Sequence, residues 1–235
     1  MKVFIVLLLC LAALLGSAFQ DLPERARGGL AYKEHLARMK TDTVLKAAQP
    51  LIYTSDLDNF NSANNRTFAQ RYYVNDEYWA PGSGPVFFLI AGEGTCNGPP
   101  GGYIATLGAQ YKALLVTLEH RFYGESIPEG GATTENYQFL TVEQALADLA
   151  KFTRFYQTNV PASASVPWVA FGGSYPGALS SWYRHTYPEH TVGALSSSGV
   201  TNTIIDFYQF DQQVHLWLVC AAPASLFMRS ILIFL

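Results

Sequence analysis

Phe171 to Arg184 reads F-G-G-S-Y-P-G-A-L-S-S-W-Y-R, and its first serine is the side chain best placed for covalent chemistry. A hydroxyl is a weak nucleophile until a base takes its proton and its oxygen is held clear of the surrounding structure. A sharp strand-to-helix turn meets the second condition. Small neighbours are needed there, because backbone segments pass close together. Gly172 precedes Ser174 by two positions, but the position two after it is Pro176, with Gly177 following. The match to G-x-S-x-G is therefore imperfect, and a glycine-rich structural turn is the competing reading. Pro176 suits a first helical turn, where its missing N–H has no partner to lose.

An acyl-transfer site also needs donors for the oxyanion. The N–H of Tyr175, at the positive end of the following helix, points to where that charge would form beside Ser174. A second donor is expected from a loop after an earlier strand. Gly92-Glu93-Gly94 is the candidate by order and by backbone freedom, with Glu93 and Gly94 as the donors.

Such a serine requires an acid and a histidine later in the chain. The sequence after Ser174 offers His185, His190 and His215, with Asp206 and Asp211. His185 lies on the helix that starts at the serine, roughly 16 Å along it at a rise of about 1.5 Å per residue. That is beyond the reach of a general base. None of these residues is expected to complete a triad, and His120 and His35 precede the serine. His120 is expected to pack or hydrogen-bond at a strand end near the site. No histidine-cysteine cluster has metal-ligand spacing, and the chemistry needs no cofactor.

The elements around the serine follow from hydrophobic pattern. Phe68 to Trp79 reads as a strand with a turn at Asn75-Asp76. The run starting at Val86 and the run Ala113 to Leu118 read as buried strands, each apolar on both faces. Leu140 to Gln157 changes period: Val142, Ala145, Leu146, Leu149, Phe152 and Tyr156 recur at helical spacing, and Thr141 with Gln144 forms a capping box. Trp168 to Phe171 reads as strand, the segment from Ser174 to about Tyr187 as helix, and Val192 to Ser198 as strand. Strands alternating with helices predict an α/β class with a parallel sheet flanked by helices.

The chain has 235 residues, 49% hydrophobic and 14% charged, with a net charge of -3. That supports a sizeable core and argues against nucleic-acid binding. The opening MKVFIVLLLCLAALLGSAFQ has the pattern of a secretory signal, residues 1–18. Residues 19–50 read as an N-terminal arm or pro-segment. Behind a signal, Asn65-Arg66-Thr67 becomes a glycosylation acceptor at Asn65. Cys96 and Cys220 could pair with each other or with partners the chain lacks. The apolar tail, residues 214–235, is open to three readings: a short membrane anchor, a helix whose partners lie elsewhere, or a non-native ending. Pro223 and Arg229 count against the anchor.

The segment around Ser174 resembles the nucleophile region of the serine carboxypeptidase family of lysosomal prolyl carboxypeptidase, dipeptidyl peptidase II and thymus-specific serine protease. The similarity extends to E-H-R-F-Y-G-E-S at Glu119 to Ser126, L-T-V-E-Q-A-L-A-D-L at Leu140 to Leu149 and F-A-Q-R-Y-Y-V-N at Phe68 to Asn75. It covers most of residues 51–213. The resemblance implies an α/β-hydrolase fold, here a partial domain over 51–213 truncated after the nucleophile half of the sheet, with the helical insertion and last strands missing. It implies a serine-type exopeptidase acting through an acyl-enzyme on Ser174. Its substrates would be peptides with proline or a small residue at the cleavage site, and its location lysosomal or extracellular. Carboxypeptidase and dipeptidyl peptidase action both remain open. So does the alternative of a catalytically inactive secreted glycoprotein with at most a binding role.

Overall fold

The computed structural model describes residues 49–221. The expected signal peptide, nearly all of the N-terminal arm and the tail beyond Ala221 lie outside the described residues. Of the described residues, 49–202 and 203–221 belong to separate compact units. In the second, the described part ends in a helix, Tyr208–Ala221. No described helix is long and apolar enough to cross a membrane.

The first unit is built on strands β1 (Leu51–Asp56), β2 (Thr67–Asn75), β3 (Val86–Ile90), β4 (Leu114–Leu118), β5 (Trp168–Gly173) and β6 (Gly193–Ser197). They form one six-stranded sheet in the order β1-β2-β4-β3-β5-β6. Strands β4, β3, β5 and β6 are parallel, as the two-sided apolar runs predict. The sheet is mixed, not purely parallel: β1 and β2 pair antiparallel with each other, and β2 with β4. Those two strands are joined by a surface loop instead of a helix, so no crossover forces them parallel. Together with the strand-serine-helix turn after β5, this arrangement is an α/β-hydrolase fold.

Helix α1 (Gly102–Tyr111) follows β3, α2 (Thr134–Tyr137) and α3 (Val142–Asn159) follow β4, and α4 (Tyr175–Thr186) follows β5. The helical period of 142–156 becomes the buried stripe of α3, with Ala145, Leu146, Leu149, Phe152 and Tyr156 against the sheet. Phe152 stands 5.7 Å from Phe88 on β3 and 5.1 Å from Tyr72 on β2, ring to ring. Large aromatics thus supply much of the area removed from water on this face. Leu179 and Tyr183 of α4 join the same cluster, whereas α1 covers the opposite face through Ile104, Ala105 and Leu107.

Helices after β3 and β5 therefore leave the sheet on opposite sides. In open α/β sheets ligands bind outside the carboxyl ends of strands where the helices part in this way. Helix α1 was hidden in the sequence by the glycine run around it. Its cap is Gly101 and its first residue Gly102 takes a φ of +59°.

The Thr141 side chain accepts from the Gln144 amide at 3.3 Å, as a cap should. The reciprocal half of the box does not form. Gln144 instead accepts from the Asn59 amide at 2.8 Å and donates to Asp58 at 2.8 Å, fastening the β1–β2 loop onto α3.

Candidate active site

Ser174 is the hinge between β5 and α4. Its backbone has a φ of 60° and ψ of −126°, a region that costs a side-chain-bearing residue about 1–3 kcal/mol. The surrounding structure holds it there. Its amide donates to the Ser197 carbonyl at 2.9 Å, continuing the β5–β6 ladder, and its carbonyl accepts from the Ala178 amide at 3.0 Å to start the helix. The residue is exposed and its side chain makes no capping bond. A serine ahead of a helix ordinarily spends its oxygen on capping; this one leaves it facing solvent.

The small residues around Ser174 are required by contact. A Cβ on Gly172 would lie 1.9 Å from the Pro176 carbonyl oxygen, and one on Gly177 would lie 2.9 Å from that of Ser197. Pro176 occupies the position where the elbow pattern has glycine, because the close approach has moved along by one residue to Gly177. Ser196-Ser197-Ser198, the end of the strand expected from the sequence, and Gly199 after it have a use in this packing. Gly199 lies against the backbone of Gly177 and Ala178, and Ser197 holds the Ser174 amide.

The loop after β3 reaches the same place. A Cβ on Gly92 would sit 2.5 Å from Cγ of Pro176, so the loop is pressed onto the first turn of α4. The Gly94 amide donates back to the Gly92 carbonyl at 2.9 Å. The Gly94 N–H is thus engaged within the loop. Glu93, between them, is exposed, and its amide has no bond among the described residues. Tyr175, as the first residue of α4, likewise has an amide without an intrahelical partner. Helix α4 places its positive end at this point.

The E-H-R-F-Y-G-E-S block meets the start of α4 through His120 and Tyr175. Glu119 is fully buried at the end of β4. It accepts from Arg71 Nη2 at 2.6 Å, Arg71 Nε at 2.9 Å, the Cys96 amide at 2.9 Å and the Ser126 hydroxyl at 2.6 Å. Burial alone would raise its pKa, but the donors from Arg71 and Ser126 outweigh that and hold the carboxyl below the ordinary range. Gly124, at φ +58°, lies where any side chain would strike this carboxylate. The Cys96 thiol is half-buried and unpaired among the described residues, and burial pushes its pKa up. The side chain of Cys220, its candidate disulfide partner, lies outside the described residues.

His120 stands where the sequence suggested, at a strand end near the site. Its Nδ1 is 2.7 Å from the Arg121 carbonyl and its Nε2 is 3.0 Å from the Tyr175 hydroxyl. Arg121 is wholly buried against Asp148 of α3.

These buried ion pairs were not anticipated from the sequence. The signal was there in Glu119-His120-Arg121, charged residues directly after an apolar strand, and in Asp148, one position from Leu149 on the buried stripe.

Of the histidines after the serine, His185 and His190 lie in the same unit and neither bonds it. His185 is exposed in the last turn of α4, and His190 is packed against Tyr183 and Tyr187 beyond that helix. Among the described residues no histidine bonds the Ser174 hydroxyl. His215, Asp206 and Asp211 belong to the other unit. Asn65 is exposed in the loop ahead of β2, with Thr67 opening the strand.

The model of the serine carboxypeptidase S28 family matches residues 55–223. A probable serine protease, EDA2, of Arabidopsis thaliana is 41% identical over 171 residues, which cover 70% of this chain and 35% of that protein. The human thymus-specific serine protease is 38% identical over 170 residues, covering 71% of this chain and 33% of its own length. The mouse lysosomal Pro-X carboxypeptidase is 38% identical over 200 residues, covering 81% and 40% respectively. The chain spans about a third of the length of the first relatives it matches.

Proposed function

The chain belongs to the serine carboxypeptidase S28 family, and from that we propose that it carries the nucleophile half of a serine exopeptidase site, with Ser174 as nucleophile. The observation that carries this is the backbone of Ser174. It is strained to φ 60° between strand and helix, with a side chain that caps nothing.

In the proposed reaction the Ser174 oxygen adds to the carbonyl carbon of the scissile peptide bond while a base takes the hydroxyl proton. The resulting oxyanion is held by the N–H groups of Tyr175 and Glu93, whose strengthening bonds in the transition state lower the barrier. Collapse expels the amine with the proton and leaves an ester on Ser174. Water then cleaves that ester and restores the hydroxyl. Within residues 49–202 no acid-histidine pair reaches Ser174, so that pair falls to residues outside this segment.

The substrates proposed are peptides with proline or a small residue at the cleavage site, a preference supported by the Pro-X carboxypeptidase relatives. Carboxypeptidase and dipeptidyl peptidase action are distinguished by which end of the peptide must be free. Passage through the secretory pathway, to a lysosomal or extracellular destination, and glycosylation at exposed Asn65 belong to the same proposal.

The lack of an acid-histidine pair in 49–202 favours a second reading, in which the chain binds peptides without hydrolysing them. Hydrolysis of a panel of prolyl peptides, free or blocked at either terminus, decides between the two. Cleavage that disappears in Ser174→Ala supports the enzyme. Peptide binding with no cleavage supports the alternative.

A further inference from the structure

We infer that His120 is a positioning residue, a neutral imidazole strut that holds Tyr175 and through it the backbone amide directly after Ser174. The inference rests on the reading of Ser174 as nucleophile. It adds a residue that neither the elbow pattern nor a catalytic triad contains.

The hydrogen-bond polarity follows from the partners. A carbonyl oxygen can only accept, so the 2.7 Å contact between Nδ1 and the Arg121 carbonyl puts the proton on Nδ1. In the neutral ring Nε2 is then an acceptor, and the Tyr175 hydroxyl, 3.0 Å away, donates to it. Burial favours this neutral form. His120 is 6% exposed and its ring has Tyr123 at 5.4 Å and Tyr175 at 5.5 Å, ring to ring, so it is fixed by packing as well as by both nitrogens.

The base of the strut is equally rigid. The residue before His120 is the fully bonded Glu119, and the residue after it is Arg121, bonded to Asp148.

The other end carries the consequence. Tyr175 is the first residue of α4, and its amide belongs to the peptide unit that leaves Ser174 at ψ −126°. That unit has no hydrogen bond of its own on the N–H side, so its orientation depends on the residues flanking it. Oxyanion donors act by being aimed before charge develops, and a loosely held amide loses that advantage. A side chain anchored through its hydroxyl to the end of the neighbouring β4 restrains rotation of the Tyr175 backbone.

Long-range proton–nitrogen correlation NMR of the histidine-labelled chain at pH 7 tests the strut directly. The expected spectrum for His120 shows protonated Nδ1 and bare Nε2, with the Nε2 shift moving when Tyr175→Phe removes the donor. The rate of Ser174 labelling by a fluorophosphonate tests the consequence. His120→Phe and Tyr175→Phe are each expected to slow labelling about 10-fold, the pair together no more than either alone. His120→Gln, which keeps an acceptor near the Nε2 position, should return the rate to within about 3-fold of the parent.

Variant labelling at the parent rate would overturn the positioning role. An Nε2-protonated ring, or a shift indifferent to Tyr175→Phe, would overturn the strut whatever the labelling shows. A parent protein in its longest translated form that does not label at all but gives the expected spectrum counts against Ser174 as nucleophile and leaves the strut standing.

Discussion

Arg121 and Asp148 meet inside the sheet-helix layer, Nε to Oδ2 at 2.7 Å and Nη2 to Oδ1 at 2.6 Å, with side chains 0% and 2% exposed. The remaining guanidinium N–H groups donate to the carbonyls of Leu57, Phe139 and Asp56. Asp148 also accepts from Ser55 and Asn59. One ion pair therefore ties β1, the turn after β4 and helix α3 together, behind the residues that flank Ser174.

Removing one partner leaves the other charge buried and uncompensated. Arg121→Met and Asp148→Asn are each expected to lower unfolding stability by about 3–5 kcal/mol. Replacing both by apolar residues of similar volume should cost less than the sum of the single changes. Urea unfolding of the four proteins measures this, and additive losses would mean that the pair is not coupled.

The sheet and the elbow were legible in the sequence because apolar runs bounded by glycine and proline have few other meanings. The Glu119 and Arg121 networks were not. A charged residue is ordinarily a surface residue, and nothing local shows that Arg71 arrives from β2 to meet Glu119, or Asp148 from α3 to meet Arg121. The antiparallel pairing of β1 with β2 was hidden for a related reason, since register depends on tertiary partners that a single strand does not reveal. Gln144 illustrates the limit in miniature: its spacing from Thr141 forms a capping box, yet its amide is used on Asn59 and Asp58.

Glu119 gives a pH prediction. Burial works against its charge, but the donors from Arg71, Ser126 and the Cys96 amide keep the folded-state carboxyl below its unfolded value. Its contribution is therefore fully present above the unfolded carboxylate pKa of about 4.3. It is lost as pH falls through the lower folded value. The parent should hold its stability down to about pH 5 and lose it below about pH 4. Glu119→Gln should be destabilised at neutral pH, with a shallower acid limb. Denaturation midpoints between pH 3 and pH 7 check both, and an unchanged acid limb would refute the assignment.

Glycines in this region should divide sharply. Gly172→Ala drives a Cβ to 1.9 Å from the Pro176 carbonyl, which only backbone movement relieves. It should cost at least about 3 kcal/mol, at the upper end of overpacking. Gly94→Ala meets nothing within 4 Å and should stay within about 0.5 kcal/mol of the parent. Thermal melts of the two variants make the comparison; equal effects would contradict the elbow geometry.

Strain at Ser174 makes a prediction of opposite sign. Glycine adopts the φ of 60° at position 174 without the penalty of a Cβ. Ser174→Gly should therefore raise stability by up to about 1–3 kcal/mol, partly offset by added freedom in the unfolded chain. Ser174→Ala keeps the Cβ and should not. Thermal melts that show a gain for Ser174→Ala and none for Ser174→Gly would mean that the backbone is not strained.

Reactivity of the Ser174 hydroxyl is the most direct test. The protein in its longest translated form is treated with a fluorophosphonate and the adduct located by peptide mass spectrometry. The expected result is a single phosphonylated serine at position 174, lost in Ser174→Ala and blocked by prior unfolding. A natively folded protein that leaves Ser174 unmodified, or carries the adduct on another serine, would contradict its role as nucleophile.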